Sequence, residues 1–206
     1  VTFTLERSLA KLSVYAAKTE GASSTPQIRG ISLLAQGTRE YSYLFPQTDA
    51  VLDAVPVRQN NRNLLSSVTD VTKAVVKGSA ESQNPANYTE VLSGQYMPEV
   101  REGVAYDDPS YTWNTFAGYP ADAARAAVLH VEYSLGAGQD LKNAYVYLPR
   151  VERNHHIKVC ILINAEGQII INYQVADWDW DEDKMQNWFF DYPTHTYLWH
   201  EVPQNN

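Results

Sequence analysis

Three groups of residues have types that could do chemistry. The first is a single thiol, Cys160, the only cysteine in 206 residues. It sits in Ile157-Lys158-Val159-Cys160-Ile161-Leu162-Ile163, with apolar neighbours on both sides. A nucleophilic cysteine needs an electropositive, partly exposed setting that favours the thiolate, and apolar surroundings do the reverse. A buried, inert thiol is the expectation. With no second cysteine, no disulfide within the chain is possible, and no cysteine pair exists to hold a structural zinc.

The second group is His155-His156. Adjacent residues on a strand point to opposite faces, so only one of them could serve a given metal cluster. A structural role is expected for both. The third is Asp177-Trp178-Asp179-Trp180-Asp181-Glu182-Asp183, whose alternate carboxylates make Asp177, Asp179 and Asp181 weak calcium candidates. The run lacks the central glycine and closing glutamate of an EF-hand loop, so charge guarding a strand edge is the favoured reading. No cofactor is expected.

Other catalytic signatures are missing from the sequence. It has no glycine-rich phosphate loop, no Gly-x-Ser-x-Gly elbow and no His-Glu-x-x-His, and nothing in the order of Ser, His and Asp links them into a triad. The expectation is a protein that is not an enzyme. Asn87-Tyr88-Thr89 matches the N-glycosylation sequon, a pattern short enough to arise by chance.

The elements that must position these residues are mainly strands. Period-2 alternation runs through Ala10 to Ala16, with Ala10, Leu12, Val14 and Ala16 on one face. Gln27 to Leu34 follows after turn-type residues and suggests a hairpin partner for it. From Glu40 to about Tyr119 the pattern fades into long-loop composition. Within it Leu64 to Val76 reads as a short helix or an edge strand. Alternation returns at Leu129, Val131, Tyr133 and Leu135, and again over Asn143 to Leu148, which Pro149 limits. The clearest feature is the pair His156 to Ile163 and Gln168 to Ala176, joined by Asn164-Ala165-Glu166-Gly167.

Several short strands without a βαβ rhythm indicate a mainly β, antiparallel sandwich with long irregular loops and little helix. With no repeat and no Gly/Ser linker, residues 1–206 read as one elaborated domain, with 179–206 as a C-terminal extension. The hydrophobic share of 44% suffices for a real core. A formal net charge of -8 argues against a nucleic-acid partner. No apolar run approaches the roughly 20 residues of a membrane-spanning helix. Fourteen Tyr and five Trp suit sheets and recognition surfaces.

Two stretches resemble the fimbrillins of the Bacteroidales, the FimA-like subunits of type V pili. Leu5-Glu6-Arg7-Ser8-Leu9-Ala10-Lys11-Leu12 is similar to a strand near the domain junction of those pilins, carried by Arg7, Ala10 and Lys11. Val151-Glu152-Arg153-Asn154-His155-His156-Ile157-Lys158-Val159 is similar to the Arg-Asn entry into a long strand, and Tyr173-Gln174-Val175-Ala176-Asp177-Trp178 resembles the family's close. The resemblance runs from Leu5 to Trp178 and corresponds to the C-terminal domain of a two-domain pilin, whose lipoprotein leader and first domain would precede Val1. The sequence departs from the family at Ile157, where many relatives carry Tyr, and in a tail that runs well past Trp178.

The resemblance implies a transthyretin-like sandwich, a lipoprotein precursor, and assembly with other pilin subunits at the outer membrane by strand exchange. Host or bacterial surface receptors, or glycans, are further partners it implies. The donor strand would be the apolar tail, with Phe189, Phe190, Tyr192, Tyr197, Leu198 and Trp199. Main-chain hydrogen bonds would bind such a strand and alternate side chains would fill pockets. The motif residues Arg7, Lys11, Arg153, Asn154 and Trp178 are expected to be structural. The alternative is a surface carbohydrate-binding module of a glycan-uptake system, stacking sugars on aromatics of the Tyr88 to Tyr119 loops.

Overall fold

The computed structural model describes residues 8–35, 38–56, 58–100, 127–148, 150–177 and 200–201. Two sheets pack face to face as the expected mainly β sandwich, with little helix. The first sheet holds β1 (Ala10–Thr19), β5 (Ala74–Val75), β6 (Thr89–Met97), β9 (His155–Ile163), β10 (Ile169–Asp177) and β11 (His200–Glu201). Its order is β11-β10-β9-β1-β5, with β6 also paired to β1. The second sheet holds β2 (Gln27–Leu33), β3 (Arg62–Asn63), β4 (Thr69–Asp70), β7 (Val128–Ser134) and β8 (Lys142–Tyr147), in the order β3-β2-β7-β8 with β4 also on β2. One helical turn, α1 (Asp49–Asp53), lies between β2 and β3.

The alternating residues fill the space between the sheets. Ala10, Leu12, Val14 and Ala16 are fully buried, and they face Ile28, Leu129, Val131, Ala144 and Val146 in one core. Ile157, Val159, Ile161 and Ile163 from β9 join the same core with Ile169, Ile171 and Tyr173 from β10. Each fully buried aliphatic side chain contributes about 2 kcal/mol. β9 and β10 pair antiparallel from Ile169↔Ile163 to Asp177↔His155, as the alternation predicts. Their turn closes through Gly167, whose φ of 82° favours a residue without a Cβ, while Asn164 Oδ1 accepts from the Gln168 amide at 2.7 Å.

Four expectations need correction. First, β1 and β2 do not form a hairpin, because the turn after Thr19 carries the chain across to the other sheet. Alternation shows which face of a strand is apolar but not which strand lies beside it. Second, the first sheet is mixed, since β1 runs parallel to β9 from Lys11↔His156 to Lys18↔Ile163. Third, of the two readings of Leu64 to Val76, short helix or edge strand, the helix falls and the strand holds, as the two-residue strands β4 and β5. The β-branched Val and Thr content there disfavours helix.

Fourth, β6 crosses what composition marks as loop. Its ladder to β1 slips between Leu12 and Val14, and Gly94 sits there with φ 56° while its amide donates to Ser13 Oγ at 3.0 Å. Such a bulge puts two consecutive residues, Val91 and Leu92, into buried positions and erases the period of two.

Candidate functional site: the open edge of the sandwich

The two lateral sides of the sandwich differ. On one side residues 62–75 cover the edges of β2 and part of β1, while β6 pairs only with β1 among the described residues. There β3 and β4 pair with β2 and β5 pairs with β1, Arg62 Nη1 donates to the Tyr96 carbonyl of β6 at 2.7 Å, and the Thr72 and Lys73 amides donate to Thr89 Oγ1 at 3.3 Å. This arrangement occupies backbone groups that a free edge would offer to another chain.

The other side is bounded by β10 and β8. Among the described residues β8 pairs only with β7, and the outer edge of β10 is met only by β11, at Ile170↔Glu201 and Ile171↔His200. Among the described residues, β11 covers two positions of this nine-residue strand, Ile170 and Ile171. The residues that bridge this side are Tyr173 and Tyr147, the Tyr173 hydroxyl donating to the Tyr147 carbonyl at 2.6 Å.

Both stretches that carry the family resemblance meet at one end of the sandwich. The start of β1 lies beside the start of β9, and the Asn154 amide donates to the Leu9 carbonyl at 3.0 Å. Asn154 has φ 58°, a left-handed conformation that Asn tolerates better than most side chains, so its place in the motif has a backbone cause. Arg153 Nη2 is 2.6 Å from Glu99 Oε1, with side chains only 10% and 14% exposed, and Arg153 also reaches the Tyr43 carbonyl at 3.5 Å. Ala10 is in the core, and the stem of Lys11 passes over Gly94, where a Cβ would stand 2.6 Å from Lys11 Cε. Each of these four motif residues thus makes a packing or hydrogen-bonding contact within the sandwich. Glu99 carried no sequence signal, since it lies in a segment without periodicity.

The chemical candidates do not converge. Cys160 is fully buried, and burial pushes its thiol up to about 12, against a smaller opposing pull from Lys158. His155 Nδ1 is 2.9 Å from the Arg153 carbonyl, while His156 Nε2 is 2.9 Å from Ser13 Oγ. Since Ser13 Oγ accepts from Gly94, we assign its proton to a bond toward a neutral His156. Among the described residues no three His, Cys, Asp or Glu side chains gather as metal ligands. Of the calcium candidates only the backbone of Asp177 is described, paired with His155, and Asp179 and Asp181 lie outside the described residues. So do Arg7, Trp178 and the donor-strand candidates Phe189, Phe190, Tyr192, Tyr197, Leu198 and Trp199. The sequon residues are already engaged, Asn87 Nδ2 donating to the Glu81 carbonyl at 3.0 Å. A recess lined by Arg39, Tyr41, Ser42 and Glu99 has about 10 Å³ of room, enough for about one water.

His156 gives a pH-dependent expectation. Burial first, then Lys158 and Lys11, lower it from 6.5 to about 3, so the folded protein holds it neutral. Between pH 6.5 and 3 the unfolded chain binds a proton that the folded chain does not. The stability from a neutral His156 is complete above pH 6.5 and is lost as pH falls through that window, by at most about 1.4 kcal/mol per pH unit. Urea unfolding of wild type and His156→Gln at pH 7 and pH 4.5 checks this. The variant should lose less stability on acidification, and equal losses would mean that His156 is charged in the native protein.

No protein-family model matches the chain, and no curated protein matches it. Among solved structures it is similar to a fimbrial protein from Bacteroides vulgatus, with 11% identity, TM-score 0.46, and coverage of 83% of this chain and 54% of that one. It is also similar to a proposed cell adhesion protein from Parabacteroides distasonis, with 13% identity, TM-score 0.42, and coverage of 84% and 52%. The chain therefore spans about half the length of each, and at these scores nothing about its function is drawn from them.

Proposed function

We propose that the chain is a non-enzymatic structural subunit of a cell-surface fimbria, joined to other subunits by strand exchange and contributing to adhesion. Export as a lipoprotein precursor and assembly at the outer membrane belong to the same reading. The observation that carries it is the placement of β11, which adds antiparallel to the outer edge of β10 on the open side of the sandwich. A segment that adds to its own edge in one molecule can add to the same edge of a neighbour, because the main-chain hydrogen bonds are identical.

The glycan-binding alternative loses one of its residues. Stacking on a sugar requires an accessible ring face, and Tyr88 is 1% exposed with its hydroxyl donating to the Ser82 carbonyl at 2.6 Å.

The pilin resemblance implies that a protease removes an N-terminal strand and opens the groove a neighbour fills, so incubating the unprocessed precursor with an Arg-specific protease tests the assembly reading. A ladder of polymers on a gel is the expected result. Persistent monomer, with glycan binding that disappears when loop aromatics are replaced, would favour the alternative.

A further inference from the structure

The outer face of the second sheet carries two rows of side chains across three strands. Leu129, Val131 and Tyr133 of β7 fill the core with Ala144 and Val146 of β8, so the residues between them point away from it. The register sets Ser32, His130 and Tyr145 in one row and Gly30, Glu132 and Asn143 in the next.

Gly30 is a glycine inside a strand. Its φ is not positive, so neither its conformation nor the ladder slip beside it requires one. What excludes a side chain there is Glu132: a Cβ at Gly30 would collide with Glu132 Oε2 and stand 3.3 Å from its carboxyl carbon. A strand glycine without a backbone cause marks a place of close approach.

The carboxylate accommodated in this way is half-buried, and it has no hydrogen bond or ion pair among the described residues. Arg29 reaches the same face, where its Nε donates to Ser134 Oγ at 3.1 Å, yet its Nη2 donates to Gln27 Oε1 at 2.8 Å and not to Glu132. Beside Glu132, His130 Nε2 is 2.8 Å from Asn143 Oδ1, and the imidazole stacks on Tyr145 with ring centres 4.6 Å apart and planes at 9°. The Asn143 oxygen carries no proton, so Nε2 donates, and a neutral His130 keeps Nδ1 as an acceptor. Asn143 is exposed, and its Nδ2 has two protons to give.

We propose that this face is a carbohydrate-binding site, with Glu132 and Asn143 holding neighbouring hydroxyls of a neutral sugar and His130 accepting from a third. A hydroxyl both donates and accepts, which matches acceptors on Glu132 and His130 next to donors on Asn143. An anionic ligand would meet the Glu132 charge on a protein of net charge -8. A lone ammonium group would leave the Asn143 donors unused. The stack and the His130–Asn143 bond fix these groups before any ligand arrives. The site lies apart from strand exchange and stands without it, and it would supply the adhesive contact of such a subunit.

The test is saturation-transfer NMR on the full chain with glucose, galactose, mannose and N-acetylglucosamine in turn, then titration. At least one should bind, with a Kd of about 1 mM. Glu132→Gln keeps the shape but loses the charged acceptor, and should weaken binding at least about tenfold. Asn143→Ala changes an exposed side chain and should weaken it about fivefold at unchanged Tm. Glu166→Gln, the same change in the exposed β9–β10 turn, should bind like wild type. A wild-type chain that binds none of the sugars overturns the proposal. So does binding that Glu132→Gln and Asn143→Ala leave intact, which would put the sugar elsewhere. A trilysine peptide that binds in place of the sugars, and is lost in Glu132→Gln, would make the face a cationic contact and equally overturn it. None of these results touches the polymer ladder, so the two readings fall separately.

Discussion

Deleting Asp191 to Asn206 should abolish polymerisation and leave a folded sandwich. The deleted stretch contributes β11 to the described structure, and β11 makes only two residue pairs, with Ile170 and Ile171. The core that β1, β2, β7, β8, β9 and β10 build does not depend on those pairs, because its apolar residues face between the sheets. Loss of the two described pairs by themselves should cost about 1 kcal/mol, roughly 2–4 °C in Tm for a chain of this size. Near-ultraviolet circular dichroism should therefore remain native while the polymer ladder disappears. A truncated chain that unfolds would mean that the tail belongs to its own core, and the donor role would fall.

The second large effect is expected at the buried ion pair. Arg153→Ala leaves Glu99 only 14% exposed and without its guanidinium partner, and also removes a donor to the Tyr43 carbonyl. Removing one partner of a nearly buried pair costs about 3–5 kcal/mol, mostly because the remaining charge has lost its solvation and gained nothing. Replacing both residues, Arg153→Met with Glu99→Leu, should recover most of the loss, since no charge is then stranded. Glu152→Ala is the control: its side chain is 47% exposed beside Arg150, and such a surface pair should change stability by less than about 0.5 kcal/mol. Urea midpoints of the four proteins measure all of this. If Arg153→Ala is as mild as Glu152→Ala, the pair is solvated and the motif residue has no structural weight.

Much of the fold could be read from the sequence where one strand face is buried and the pattern is unbroken. Leu129, Val131 and Tyr133 alternate with His130 and Glu132, and the structure buries the first set. The β9–β10 pair was legible for the same reason, with a turn whose residue types match its geometry. Partnership was not legible. Nothing local in Leu12 or Ile157 says that β1 and β9 lie side by side and parallel, because that contact joins residues far apart in sequence. β6 was hidden by its own bulge at Gly94, and β3 to β5 are too short to show a period.

For the proposed site, the sequence marked a segment but not the side chains around it. The tail and the strand before it stood out by composition, and Arg153 and Asn154 by resemblance. Tyr173 and Gln174 look like ordinary members of an alternating strand, and only the carbonyls of Tyr147 and Gln83 distinguish them. Backbone acceptors leave no mark on a sequence.

The claim that a neighbour's C-terminal segment pairs with the β10 edge is most directly tested by cross-linking two singly substituted full chains, Ala176→Cys and His195→Cys. An exchanged tail that keeps the β11 register, Ile171↔His200, is predicted to bring position 195 of one chain to position 176 of its neighbour. The native Cys160 is fully buried and should stay out of the reaction. Under mild oxidation of a mixed assembly, strand exchange predicts a covalent heterodimer of the two variants. A disulfide that forms within one chain carrying both substitutions, and never between the two variants, would place the tail on its own sheet and contradict it.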